Sequence, residues 1–345
     1  TTGISKGVIV SHRNVVANAH QFRAWNVTGI EGQEVVLCAI PLYHAYGMVI
    51  GLIYGTIIAA TFVMVPNPGD LTDLLNNWTR YRASIFPGVP SIYAAINHYP
   101  GVEDMDLGST KFCISGSTPL LRETKLRFEA ITGGKLVEGY GLSETPVATH
   151  CNPVRGENRT GSIGLPLPDV DCRVVDVDDG VTDVLPGERG EFIIRGPNVM
   201  SGYHGMPEET EIHLKDGWLY TGDIGRMDSD GYFYVLDRKK EVIKPGGFQV
   251  WPREVEEVII THPAVREVAV AGVPDGNGGE QVKAWVVLHP AQSASEDELI
   301  AWCKRELVNY KAPRSVAFVD TIPKSGVGKV LRRELVRMHN EANGK

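Results

Sequence analysis

The feature that most constrains this chain is a run with no charged residue, from position 47 to position 65. It reaches the roughly 18-residue length at which a membrane span must be weighed. Gly47, Gly51 and Gly55 recur within it every fourth residue, a spacing that suits close helix packing in membranes and in protein cores alike. The flanks oppose a span. The nearest basic residues are Arg23 and Arg80, too remote to set an orientation. Positions 61–65, Thr-Phe-Val-Met-Val, read as a strand ended by Pro66-Asn67-Pro68. The run is therefore expected to be a buried helix followed by a strand.

Around it the pattern is regular. Apolar runs at 35–40, 83–86, 111–115 and 136–138 read as strands. Segments 71–81, 90–98 and 119–131 read as helices, with Asp70 able to cap the first and Pro90 to open the second. Strands alternating with helices predict an α/β fold with a mainly parallel sheet, whose ligands sit at the carboxyl ends of the strands. After about residue 155 short strands at 173–177, 191–195, 218–220 and 232–236 alternate with turns, including Asp228-Ser229-Asp230-Gly231. This is expected to be an antiparallel β subdomain. From about 241 the texture is α+β: helices from Pro252 to 260, at 296–307 and at 329–339, and strands at 265–273 and 282–288. Ser295 and Glu298 form a capping box.

With 345 residues, two or three globular units are expected. The expected division is 1–239 (1–154 the βα part, 155–239 the β subdomain) and 240–345. A net charge of −8 argues against a nucleic-acid partner. Cysteines at 38, 113, 151, 172 and 303 form no C-x-x-C pair, so disulfide and zinc frameworks are not expected and a reducing compartment fits.

Four segments carry chemistry. Thr1-Thr2-Gly3-Ile4-Ser5-Lys6-Gly7 combines hydroxyls, glycine and a lysine in a way that suits phosphate oxygens, although such a stretch is more often just a turn. Glu138-Gly139-Tyr140-Gly141-Leu142-Ser143-Glu144 follows a strand and offers close backbone approach, a stacking ring, a hydroxyl and a hard oxygen ligand. Tyr220-Thr221-Gly222-Asp223 and Asp237-Arg238-Lys239-Lys240 supply a carboxylate for paired hydroxyls and a cationic turn. Pro323-Lys324-Ser325-Gly326-Val327-Gly328-Lys329 sets a lysine behind a glycine-flanked loop.

These segments, with Gly247-Phe248-x-Val-x-Pro, resemble in sequence order the core motifs of the AMP-forming acyl-CoA synthetases. The stretches at 86–90, 115–120 and 149–153 most resemble bacterial long-chain fatty-acid–CoA ligases. The resemblance implies a large N-terminal domain, a mainly parallel βα sheet with a β subdomain, truncated here, and a small α+β C-terminal domain. Because the family's phosphate loop begins a few residues earlier, on the order of 150 residues, a domain's worth, are expected ahead of Thr1.

The implied reaction joins a small-molecule carboxylic acid to ATP, giving acyl-AMP and pyrophosphate, and then to CoA, releasing AMP. Thr1, Thr2, Gly3 and Lys6 would cradle phosphates. Tyr140, Gly139 and Gly141 would meet adenine, beside Ser117, Thr118 and Glu138. Ser143 would hold the α-phosphate, and Glu144, with Thr2, Mg²⁺. Asp223 would take the ribose hydroxyls, with Arg238 and Gln249 nearby. Lys329 would bridge the attacking carboxylate and the α-phosphate. His44 would sit near the acyl carbonyl. Lys240 falls at the family's hinge. Lys244, Gly246, Gly247 and Phe248 would serve the thioester step, although coumarate ligases carry Lys where Gly246 stands. Alternatives are another acyl- or aryl-acid–CoA ligase, an enzyme loading a carrier protein, a luciferase-like oxygenase, or a non-catalytic fragment that binds nucleotide or a partner. A cytoplasmic location is expected, with peripheral contact at the inner membrane face left open.

Overall fold

The computed structural model describes residues 6–276, 278–325 and 329–342. Thr1, Thr2, Gly3 and the glycines of the 326–328 loop lie outside the described residues. The chain divides into two compact units. One holds residues 6–221 and 225–235; the other holds 222–224 and 236–342.

The larger unit is built on a seven-stranded sheet. In spatial order its strands are Thr61–Met64, Val35–Cys38, Ile85–Gly88, Phe112–Ser115, Lys135–Tyr140, His150–Cys151 and Leu165–Pro166. The first five are parallel and the last two antiparallel. Successive side chains on a strand point to opposite faces, and here both faces are apolar. Val36, Cys38, Ile85, Phe112, Ile114 and Val137 pack with Ala19 and Phe22 of the helix His12–Trp25. Leu37, Phe86, Cys113 and Leu136 pack with Leu74, Trp78, Tyr93 and Phe128 from the helices Leu71–Tyr81, Pro90–Asn97 and Arg122–Thr132. Helices on both faces are what an all-apolar parallel sheet requires. Trp78 is fully buried against Phe86, with ring centroids 4.7 Å apart; truncating such a side chain costs about 3–5 kcal/mol.

The uncharged run lies inside this unit. It forms a π-helix Gly47–Ile53, a helical turn Tyr54–Ile57 and the strand Thr61–Met64. Gly55 makes a close approach: a Cβ there would lie 2.6 Å from the Phe62 ring, which would have to shift. No helix among the described residues is long and apolar enough to cross a membrane.

The β region holds a second sheet of five strands: Leu214–Lys215, Trp218–Met227, Gly190–Arg195, Asp171–Val175 and Phe233–Arg238. A third, two-stranded sheet pairs Val8–Ile9 with Gly202–Tyr203.

In the smaller unit Val265–Pro274 runs antiparallel to Glu280–Leu288, which pairs in parallel with Ser315–Phe318. The helices Pro252–Ile259 and Glu296–Glu306 cover one face through Val255, Ile259, Leu299 and Cys303. The helix Arg332–Ala342 covers the other through Leu335, against Ala269, Ala271 and Trp285.

Several element boundaries differ from the sequence reading. The helix expected from 119 begins at Arg122, because the Leu120 N–H is drawn to the Glu138 carboxylate. The last helix begins at Arg332 rather than 329, because Lys324 and Val330 form a β-bridge that holds the loop end extended. The strand expected to stop at 220 continues to Met227.

Candidate active site

In the larger unit the carboxyl ends of the parallel strands open onto an apolar cleft. Phe22, Ile50, Ile114, Val147 and Cys151 line it, together with His44, Tyr46, Ser117, Tyr140 and His150. Its rim follows from local constraints. Ser117, just beyond the strand Phe112–Ser115, has φ +76°, a left-handed conformation that costs a non-glycine residue free energy and that clusters at functional sites. Gly141 follows the strand Lys135–Tyr140. A Cβ on it would lie 1.0 Å from the Val147 carbonyl oxygen, so no other residue fits.

The floor is tied down by buried hydroxyls. Tyr46 donates to the Ile114 carbonyl at 2.7 Å, and Tyr93 donates to the same oxygen at 2.7 Å. Glu138 is buried, and its carboxylate accepts from the N–H groups of Leu120 at 3.3 Å and Gly161 at 2.8 Å. It thereby fixes the loop that carries Ser117 and Thr118.

Tyr140 is half-buried, and two aromatic rings meet it edge-on: His150 at 5.9 Å and Phe192 at 6.4 Å between centroids. Burial pushes His150 down to about 3, so its imidazole is neutral. Nδ1 lies 3.0 Å from Thr149 Oγ1, while Nε2 has no hydrogen-bond partner among the described residues. Burial also lowers the pKa of His44. Its Nδ1 accepts from the Tyr46 N–H at 3.1 Å, which leaves the proton of the neutral ring on Nε2.

Ser143 and Glu144 stand in the turn after Gly141, Ser143 exposed and Glu144 half-buried. Glu144 Oε1 accepts from the Tyr203 hydroxyl at 2.8 Å. Burial and this carboxylate raise the Tyr203 pKa, so the hydroxyl keeps its proton and donates. Lys6 is exposed, pairs with Glu209 and lies over the Tyr203 ring, 5.2 Å from its centroid. Sequence reasoning singled out Lys6 and Glu144 but missed Tyr203, which joins them.

No group of three or more His, Cys, Asp or Glu side chains suited to a metal ion occurs among the described residues. One carboxylate fits magnesium, which keeps several waters and is usually held by one or two carboxylates with substrate phosphates.

In the smaller unit Asp223 is buried and Arg238 Nε lies 2.5 Å from its Oδ1. Lys329 is half-buried. Burial lowers its pKa, as do Arg238 and Lys240, while Asp223 and Glu241 oppose them. Its backbone N–H donates to Ser325 Oγ at 3.1 Å. Asp223, Arg238, Lys240 and Lys329 thus form one electrostatic group.

Lys240 lies in the 3-10 turn Lys239–Glu241, next to Glu241. Arg332 fastens that turn, donating to Glu241 at 2.6 Å, to Glu256 at 2.7 Å and to the Val270 carbonyl at 2.9 Å. The segment expected to serve the thioester step is separate. Lys244, Gly246, Gly247, Phe248 and Gln249 are exposed on a short loop closed by the Ile243–Val250 bridge. Gly246 and Gly247 have φ +57° and +87°, and Phe248 stacks on Tyr310 at 4.5 Å.

Residues 1–204 match the AMP-binding enzyme family, and residues 254–329 match the AMP-binding enzyme C-terminal domain. A long-chain-fatty-acid–CoA ligase of Bacillus subtilis (strain 168) is 44% identical over 341 residues, which are 99% of this chain and 60% of that protein. ATP-bound MatB from Rhodopseudomonas palustris superposes with a TM-score of 0.89 at 33% identity, over 99% of this chain and 67% of that one. O-succinylbenzoate coenzyme A synthetase from Bacillus subtilis, in complex with ATP and magnesium ion, superposes with a TM-score of 0.82 at 31% identity, over 97% of this chain and 67% of that one. The chain therefore spans about three fifths of the length of the curated relative, and on its match over residues 1–204 it belongs to the AMP-binding enzyme family.

Proposed function

We propose that the protein activates a fatty acid, of long chain as its Bacillus relative's name states, with ATP and then transfers the acyl group to CoA. The observation that carries this reading is the cleft. Apolar side chains from Phe22 to Cys151 line it, and Tyr140 and Ser117 stand among them. Such a cleft suits an alkyl chain whose carboxylate ends beside a nucleotide.

In the first half-reaction a carboxylate oxygen bonds to the α-phosphorus of ATP, the bond to the β-phosphate breaks, and pyrophosphate leaves. In the second, the CoA sulfur bonds to the acyl carbon, the carbon–oxygen bond breaks, AMP leaves and the thiol proton goes to solvent. Little covalent work falls to the protein, whose part is positioning and charge stabilisation. In this reading Tyr140 stacks on adenine, Asp223 accepts from the ribose hydroxyls, Lys6 and Ser143 meet phosphate oxygens, and Lys329 meets the charge that builds as the carboxylate attacks. Glu144 would hold magnesium, which when bound screens the phosphate charge. Neutral His44 offers its Nε2–H beside the acyl carbonyl. Residues 240–345 act as a mobile domain that pivots at Lys240, and Gly246, Gly247 and Phe248 serve thiolysis.

Incubation of the protein with ATP, palmitate and CoA tests the reading. Equal amounts of palmitoyl-CoA, AMP and pyrophosphate are expected. ADP with inorganic phosphate, or acyl transfer only to a carrier protein, would overturn it.

A further inference from the structure

Tyr203 lies far in sequence from every motif singled out above, yet it touches two of them. Its hydroxyl donates to Glu144 Oε1 at 2.8 Å, and the Lys6 ammonium lies 5.2 Å from the centre of its ring. The residue is 6% exposed, and every contact around it restricts its orientation. Val8 pairs with Tyr203 in the two-stranded sheet, and the His204 N–H donates to the Gly7 carbonyl at 2.7 Å, so the backbone leaving Lys6 is registered to Tyr203. The Tyr203 N–H donates to Thr210 Oγ1 at 2.9 Å, and His213 meets the ring edge-on at 5.8 Å. Thr210 and His213 sit on the short helix Pro207–His213, which also carries the Lys6 partner Glu209.

A hydroxyl that takes one carboxylate oxygen fixes the rotation of the carboxyl group and so aims the other oxygen. Partners of this kind orient metal ligands, and their loss typically weakens metal affinity about 10–100-fold. The ring face works differently. It attracts a cation without neutralising it, so the ring holds the Lys6 ammonium in place while Glu209 is its charge partner.

We infer that Tyr203 is a positioning residue that sets the Glu144 carboxylate for a divalent cation and the Lys6 ammonium for the phosphates of the same nucleotide. The inference rests on the nucleotide-activation reading above. It separates two functions of one side chain: the hydroxyl serves the metal and the ring serves the lysine.

Manganese serves as the probe. Free Mn²⁺ is counted by electron paramagnetic resonance as the protein is titrated with ATP present, and ATP binding is measured separately in EDTA. Tyr203→Phe keeps the ring and removes the hydroxyl. Its Mn²⁺ affinity in the presence of ATP is expected to fall by roughly tenfold or more, with metal-free ATP binding and the thermal midpoint unchanged. Tyr203→Leu removes both features and is expected to weaken metal-free ATP binding as well. Unchanged Mn²⁺ affinity in Tyr203→Phe, beside a wild type that binds, overturns the inference alone. Equal losses of Mn²⁺ and metal-free ATP affinity in Tyr203→Phe also overturn it, because they mark a merely structural role. A wild type that binds neither ATP nor Mn²⁺ with ATP overturns the nucleotide reading on which the inference stands.

Discussion

Arg238 Nε lies 2.5 Å from Asp223 Oδ1, and the carboxylate it meets is almost wholly buried while the guanidinium is partly exposed. Removing the guanidinium takes this close ion pair away from a buried carboxylate. Arg238→Ala is expected to lower the stability of the smaller unit by about 3 kcal/mol, the scale for breaking a buried pair. Urea denaturation checks this, and ATP binding should weaken with it. A variant that matches the wild type in both would show that the pair neither supports the fold nor prepares Asp223 for ribose.

His150 predicts a pH dependence with a definite sign. Above its ordinary value of 6.5 the side chain is neutral both folded and unfolded. Burial lowers the folded value to about 3, so between these limits the unfolded chain binds a proton that the native protein does not. Stability should therefore fall as pH drops from 6.5 towards 3, by about 1.4 kcal/mol per pH unit for one proton. Asp237 works in the opposite sense. Burial raises it from 3.8 to about 6, so it contributes stability below 3.8 that is lost as pH rises through 6. The measurement is thus the difference between wild type and His150→Phe in urea midpoints from pH 7 to pH 4. The wild type should lose more on acidification, and parallel curves would exclude a buried neutral His150.

Gly141 is predicted to be irreplaceable for steric reasons. A Cβ there would lie 1.0 Å from the Val147 carbonyl oxygen, whereas one on Gly108 would make only an ordinary contact of 3.5 Å. Gly141→Ala must displace the turn that carries Ser143 and Glu144, and it should abolish acyl-AMP formation while Gly108→Ala retains it. Comparable activity in the two variants would contradict the packing described here.

Lys329 should separate the two half-reactions. Loss of one preorganised donor to transition-state charge costs about 10²–10³ in rate, so Lys329→Ala should slow acyl-AMP formation by that factor. Thioester formation from supplied acyl-AMP and CoA should stay near the wild-type rate. Equal losses in both steps would remove Lys329 from the role proposed for it.

Much of this was legible in the sequence. Alternation of strand and helix identified the parallel sheet, because Val36, Leu37 and Cys38 place apolar side chains on both faces. The capping signals at Asp70 and Ser295 mark true helix starts, where side-chain oxygens accept from Asp73 and Glu298 N–H groups. What the sequence could not show depends on contacts distant along the chain. Glu138 stands in the glycine-rich motif and reads as a ligand-binding residue, yet its carboxylate is taken by backbone at Leu120 and Gly161. Tyr203 carries no local signal, because its role lies in pairing with Val8 and in reaching Glu144. Arg332 carries no local signal either, because only the fold brings Glu241 and Glu256 to it.

The most direct test of the central claim follows one oxygen atom. Palmitate labelled with ¹⁸O in both carboxylate positions is turned over with ATP and CoA, and the AMP is analysed by mass spectrometry. If the carboxylate attacks the α-phosphorus and the thiol then cleaves the acyl carbon–oxygen bond, one labelled oxygen must remain on each AMP. AMP without label would contradict an acyl-adenylate intermediate and with it the function proposed for this protein.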